Sequence, residues 1–232
     1  MLLHEELEIE EAALEGGLCI CVPVSVWLEE GQSEAEITAY GNVWDICEEY
    51  EKYFSDDLFG AAAKDFLIGK IAPIVKNLGY EIDVKSFGAI LEYKIAETNE
   101  TVEKYSGGAM IVRSADEVKD YACHLLHKPD PDDENEAYAC AVVICDGAVV
   151  ALAGVNDFFT DDTHEIFVET AKDYRGRDFG TAAVAKLTEH LTGLGLTVGY
   201  KCGEGNAASA AIAEKLGMTL SGRRMDLVCY AE

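Results

Sequence analysis

The spacing of apolar and polar positions changes several times along this 232-residue chain, and each change marks an element. Residues 18–28 (L-C-I-C-V-P-V-S-V-W-L) form a β-rich apolar run, the signature of a buried strand. Residues 43–54 and 57–78 then take helical spacing, with Leu67, Ile71, Ile74, Val75 and Leu78 on one face. Residues 87–95 return to a strand pattern. The polar stretch Ala96–Gly108, rich in Glu, Thr and Gly, reads as a boundary.

Beyond it the punctuation is denser. Ala109–Arg113 predicts a strand, and Ser114–Leu126 a helix opened by Ser114 with Glu117 three residues on, a capping-box spacing. Lys128–Glu136 (K-P-D-P-D-D-E-N-E) reads as a solvated loop. Tyr138–Cys145 and Ala148–Val155 are apolar strands joined by Asp146-Gly147, the strongest short hairpin signal. His164–Ala171 is a further strand. Val184, Leu187, Leu191 and Leu194 then recur at three- and four-residue intervals, which predicts a helix stopped by Gly193 and Gly195, and Leu196–Lys201 follows as a strand. The order predicts an α/β (α+β) chain in two parts, residues 1–106 and 107–232. The first part carries no motif that can be attached to chemistry.

Charge narrows the functional classes. The formal net charge is −26, which argues against nucleic acid as a partner because phosphate binding requires a cationic face. The imbalance is uneven: 22 acidic against 6 basic residues over 1–100, 15 against 4 over 101–169, and 7 against 8 over 170–232. A near-neutral last quarter in so acidic a chain points to a polyanionic ligand there. No run of 18 uncharged apolar residues is present and the first eleven residues are acidic, so the sequence predicts a cytoplasmic protein with no membrane partner. The eight cysteines show no C-x-x-C pair and no zinc-ligand spacing to histidine, and read as reduced, mainly core thiols with no metal.

The polyanion has an evident place to sit. Asp173–Leu187 reads D-Y-R-G-R-D-F-G-T-A-A-V-A-K-L, a strand end, a glycine-bearing turn and a helix start. Backbone N–H groups at a helix N-terminus, together with its dipole, bind phosphate, and Gly176 and Gly180 let a ligand approach closely. The turn is neither a Walker loop nor G-x-G-x-x-G; on spacing alone a plain helix entry competes with an anion site.

A second stretch breaks the tie. Residues 206–218, N-A-A-S-A-A-I-A-E-K-L-G-M, follow a strand and the turn C-G-E-G. Taken with R-G-R-D-F-G-T, this resembles the GNAT N-acetyltransferase superfamily, whose fingerprint is a [QR]-x-x-G-x-[GA] turn followed by N-x-x-S and K-L-G. The resemblance covers residues 107–232, and E-T-A-K-D-Y-R-G is similar to the branch with an additional, divergent N-terminal half. It implies a mixed, mostly antiparallel central sheet flanked by helices, and acetyl-CoA as co-substrate with no metal. It places the pyrophosphate on Arg175, Gly176, Arg177, Asp178, Phe179, Gly180 and Thr181. The pantetheine arm would lie along Val168, Glu169 and Thr170, with Asn206 and Ser209 at the end of the neighbouring strand.

Two departures stand out. Asp178 occupies the family's central glycine of the turn, so it must point outward or pair with Arg177 to spare the pyrophosphate. The usual tyrosine acid, seven residues after the asparagine, is Ala213, so the leaving thiolate must take its proton from Tyr230 or water. Glu169 is the first candidate base for the attacking amine, with His164 acting through water as another and Cys202 a remote candidate acyl carrier. The acidic surface suits a small-molecule or peptide amine that is cationic, and a homodimer is left open. Two readings follow: an N-acetyltransferase acting by direct attack of a primary amine in a ternary complex, and a degenerate CoA-binding or interaction module.

Overall fold

The computed structural model describes residues 2–5, 20–40, 43–85, 87–128, 139–156 and 163–231. The acidic segment 6–11, Cys19, Tyr138 and the loop following Lys128 lie outside them. The chain divides into two compact units, residues 1–91 with 222–232, and residues 92–221. The division falls earlier than the 106/107 boundary read from the sequence, because residues 99–106 are bound within the second unit, Asn99 to Leu216 and Ser106 to Glu189.

In the first unit β1 (Leu2–Glu5) pairs in parallel with β3 (Glu36–Tyr40), and β3 pairs antiparallel with β2 (Ile20–Glu29). The C-terminal part of β12 (Thr219–Ala231) runs antiparallel to β2 and to β4 (Tyr80–Ile82). Helices α1 (Trp44–Phe54) and α2 (Ala61–Asn77) supply Cys47, Tyr50, Leu67, Ile71 and Val75 to a core shared with Val24, Val26, Ile37, Met225 and Leu227. The face read from the apolar spacing is thus the buried one, with Ile74 and Leu78 at its margin.

The second unit holds the strand order β5-β11-β10-β9-β8-β6, where β5 is Ile90–Ile95, β6 Met110–Val112, β8 Cys140–Cys145, β9 Ala148–Val155, β10 Thr163–Thr170 and β11 Thr197–Gly203. The β8–β9 hairpin turns at Asp146 (φ 52°) and Gly147 (φ 78°), the paired positive φ that a two-residue turn requires and that Asp-Gly tolerates. Helix α4 (Phe179–Gly193) buries Val184, Leu187 and Leu191, while Leu194 sits at its C-cap and is 42% exposed. Helix α5 (Ala207–Lys215) follows β11. Mixed and mostly antiparallel, the sheet matches the expected fold class. Among the described residues no helix is long and apolar enough to cross a membrane. Of the described cysteines, Cys47, Cys140, Cys202 and Cys229 are buried, and burial pushes the Cys47 thiol up to about 12.

Two elements differ from the sequence reading. The polar stretch Ala96–Gly108 contains helix α3 (Glu100–Ser106), whose cap Asn99 accepts from Thr101 and Val102 N–H at 2.9 and 3.0 Å. Ser114–Leu126 is not a helix. In place of the reciprocal capping box, Asp116 N–H donates to Ser114 Oγ and Arg113 N–H to Glu117 Oε1, and only a 3₁₀ turn, Ala115–Glu117, closes. The chain then pairs in parallel with β9 as β7 (Ala122–Cys123), because Tyr121 and Leu126 are exposed and no continuous apolar stripe holds a helix down.

Asn99 also ties two helices together, its Nδ2 donating to Leu216 C=O at the end of α5 at 2.9 Å. Asn99→Ala removes a cap and this tie, and we expect a loss of about 1–2 kcal/mol, read as a lower denaturation midpoint at unchanged m-value.

Candidate active site

Strands β10 and β11 start as a parallel pair and then part. Their register runs from Thr163↔Thr197 to Ile166↔Tyr200 and goes no further, although β10 continues to Thr170 and β11 to Gly203. On its other side β10 stays bonded to β9 through Thr170↔Ala151. Glu165 C=O accepts from Asn156 N–H at 2.8 Å and Ala171 N–H donates to Val150 C=O at 2.9 Å, both toward β9. By the alternation of an antiparallel ladder, Val168 and Thr170 therefore turn their N–H and C=O groups into the gap left by β11. Arg175 Nε already donates to the Thr170 carbonyl at 3.1 Å, which leaves the Thr170 N–H for a ligand.

The gap opens into a cavity of about 430 Å³ that ends at the start of α4. Of the fifteen candidate residues singled out from the sequence, eleven line it: Val168, Glu169, Thr170, Arg175, Gly176, Asp178, Phe179, Gly180, Thr181, Asn206 and Ser209. Tyr230 does not; it lies on β12 in the first unit, 42% exposed. Nor does Arg177, whose guanidinium is stacked 4.7 Å from the Phe179 ring and 5.5 Å from the Tyr174 ring.

The turn has an unusual cap. Asp178 occupies the N-cap of α4 with φ 61° and ψ 12°, and no side chain caps the helix. A capping aspartate needs extended φ/ψ to fold its carboxylate back on the first turn; the left-handed conformation sends it away. Asp178 Oδ1 instead accepts from Lys215 Nζ at 2.7 Å, so of the two alternatives read from the sequence the carboxylate turns outward and does not pair with Arg177. That carboxylate holds the lysine above its usual range. The N–H groups of Phe179, Gly180 and Thr181 are thereby left without a side-chain cap at the positive end of the helix. Close approach depends on Gly180, where a Cβ would lie 2.7 Å from Thr170 Oγ1.

On the opposite wall, Asn206 caps α5, its Oδ1 accepting from Ser209 N–H at 3.2 Å, and Ser209 is hydrogen-bonded to Tyr200. Burial pushes the Tyr200 phenol up, against that bond. Ala208, Ala211, Ile212 and Lys215 also line the cavity. The sequence reading passed over them, although their i, i+3, i+4, i+7 spacing marks one helix face. Ala213 is fully buried. His164 and Cys202 stand outside the lining; burial, then Glu214, raises the Cys202 thiol, which suits no acyl carrier.

Glu169 is neither solvent-facing nor free. Its carboxylate accepts from Leu126 N–H at 2.7 Å and His127 N–H at 3.0 Å, and His127 Nδ1 lies 2.8 Å away. Burial pushes this carboxyl up, but the hydrogen bonds from Leu126 and His127 and the imidazole charge outweigh it and hold it below the usual range. A depressed carboxylate lends stability that is present above its unfolded pKa, about 4.3, and lost as pH falls through the lower folded value. We expect acidification below the ordinary glutamate range to release residues 124–128, seen as faster amide exchange at Leu126 and His127. In Glu169→Gln that exchange is already fast at neutral pH and loses its dependence on this titration.

Residues 84–219 match the family model described as acetyltransferase (GNAT) domain. Among solved structures the chain is similar to a GCN5-related N-acetyltransferase-like protein from Streptococcus suis 89/1591, with 18% identity over 96% of this chain and 92% of that one and a TM-score of 0.50. It is also similar to a GCN5-related N-acetyltransferase from Kribbella flavida, with 20% identity over 96% and 94% and a TM-score of 0.50. No curated protein matches.

Proposed function

Because the chain belongs to the GNAT acetyltransferase family, we propose that it moves an acetyl group from acetyl-CoA to a primary amine that attacks the thioester directly in a ternary complex. Acetyl transfer is the family's general chemistry, and acetyl-CoA is a substrate here. The observation that carries the reading is the parting of β10 from β11, which turns Val168 and Thr170 main-chain groups into a cleft ending at an uncapped helix start. An amide-rich pantetheine arm fits that open strand edge. The Phe179–Thr181 amides, with Gly176 at φ 73° and open space where its Cβ would stand, suit the pyrophosphate. Arg175 and Lys215, both on the lining, balance its charge.

Direct attack asks little more of the protein than juxtaposition and removal of one proton. The Thr170 N–H stands where it would stabilise the oxyanion that develops on the thioester carbonyl. For the acceptor, a net charge of −26 favours a cationic amine by steering. The competing reading, a binding module without turnover, is favoured by Ala213, which places no phenol at the usual acid position.

Calorimetry with acetyl-CoA, followed by thiol release in the presence of spermidine, kanamycin or a lysine-rich peptide, separates the two. We expect micromolar binding and turnover with at least one cationic amine. Binding without turnover supports a CoA-binding module; no binding at millimolar acetyl-CoA contradicts acetyl transfer and leaves an interaction module.

A further inference from the structure

The segment that follows β7 contacts two residues that line the cavity. Its His124 ring stacks on Tyr174, with centroids 6.0 Å apart and planes 18° apart, and its residues Leu126 and His127 are bound by Glu169; both Tyr174 and Glu169 line the cavity. Two main-chain N–H groups would suffice to tether the segment, and any residues could supply them. The third contact, from His127 Nδ1 to Glu169 Oε2 at 2.8 Å, is specific to a histidine.

Chemistry fixes the direction of that contact. An ionised carboxylate only accepts, so Nδ1 carries the hydrogen and the lone pair of the neutral ring resides on Nε2. Exposure divides the labour: the His127 side chain is 69% exposed and that of Glu169 only 18%. The carboxylate is spent on three donors, whereas the imidazole, which is not itself part of the cavity lining, is the more accessible member of the pair. Phe167 flanks the ring at 5.9 Å, Lys128 is next along the chain, and Glu169 is the charged group paired with the imidazole among the described residues.

We propose that His127 is the general base for the acceptor amine, with Glu169 as the positioning residue that sets its tautomer; this rests on the acetyl-transfer reading above. One proton of the ammonium passes to Nε2. The freed nitrogen lone pair forms the C–N bond to the thioester carbonyl carbon, the C–S bond breaks with its electron pair on sulfur, and the thiolate takes the second nitrogen proton. The amide keeps the third, and the imidazolium returns its proton to solvent. Glu169, the base named from the sequence, thus acts one residue removed from the substrate.

The test compares wild type, His127→Gln and Glu169→Gln, using acetyl-CoA calorimetry and the pH profile of kcat/KM for the panel amine acetylated fastest. Wild-type kcat/KM rises with pH through the imidazole titration, since only the neutral ring accepts a proton. We expect His127→Gln to bind acetyl-CoA within about twofold of wild type, to lose roughly a hundredfold in kcat/KM and to lose that acidic limb. Glu169→Gln, which no longer fixes the tautomer, keeps the limb and lowers kcat/KM by less than His127→Gln does. NMR of the imidazole nitrogens reports independently of turnover: the hydrogen is on Nδ1 in the neutral wild-type ring, and both tautomers are populated in Glu169→Gln. An unchanged rate and limb in His127→Gln, or a ring hydrogen on Nε2, overturns the dyad while acetyl transfer stands. A wild type that binds acetyl-CoA without acetylating any amine, or does not bind it, overturns both.

Discussion

Gly180→Val abolishes acetyl-CoA binding and destabilises the second unit by about 1–3 kcal/mol, the usual range for overpacking a close contact. The first atom added, Cβ, already lies 2.7 Å from Thr170 Oγ1, 3.5 Å from Ile212 Cδ1 and 3.6 Å from Val168 Cγ2. Those three side chains belong to β10 and α5, the two walls of the cleft, so the valine methyls occupy the space claimed for the cofactor's arm and force α4 away from β10. Gly193→Ala in the same helix is the control. It meets nothing within 4 Å, and replacing glycine by alanine in a helix gains roughly 0.5–1 kcal/mol. Thermal unfolding and calorimetry read both variants. A Gly180→Val protein that binds acetyl-CoA like wild type removes the cleft from the account.

The charges at the turn should trade against one another. Asp178→Asn keeps the shape of the side chain and a residue that tolerates positive φ, but removes the carboxylate beside the diphosphate site; we expect acetyl-CoA affinity to rise roughly tenfold. Lys215→Ala strips that carboxylate of its partner and should weaken binding by about the same factor. The double variant restores the wild-type balance of charge and should bind within about threefold of wild type. Because Lys215 and Asp178 are both well exposed, with side chains 40% and 53% accessible, these differences shrink in high salt. Asp178→Asn matters most among the three because it separates charge from bulk: an obstruction by shape would persist in an isosteric variant and be relieved only by Asp178→Gly.

How far the sequence carries can be judged element by element. The Asp146-Gly147 hairpin and the α4 stripe were legible because both are short-range devices, a turn that needs positive φ and an apolar repeat with one burial face. Ser114–Leu126 was misread because its capping signal is equally local, and Ser114 and Glu117 do bind nearby N–H groups without closing the box; what unmakes the helix lies elsewhere, in the parallel pairing with β9 and the grip of Glu169, 43 residues away from Leu126. Helix α3 was hidden by its polarity, though N-E-T-V-E at Asn99 is a readable cap. The resemblance led to the right stretch of chain for the cavity, but three features within it depend on register or on distant partners: the parting of β10 and β11, the Lys215–Asp178 pair spanning 37 positions and the His127–Glu169 contact. No local pattern encodes them. The unit boundary failed for a related reason, since the bonds from Asn99 to Leu216 and from Ser106 to Glu189 that hold residues 99–106 in the second unit are invisible to a reading in chain order.

The account rests on the open edge of β10 and the uncapped start of α4 as one continuous cofactor site. Titrating acetyl-CoA into ¹⁵N-labelled protein while following amide exchange tests it residue by residue. Val168 and Thr170, whose amides face the gap, and Phe179 to Thr181 should shift and gain protection, while Glu169, bonded to β9, keeps the protection it already has. Saturable binding that leaves the Val168 and Thr170 amides unprotected would contradict the account.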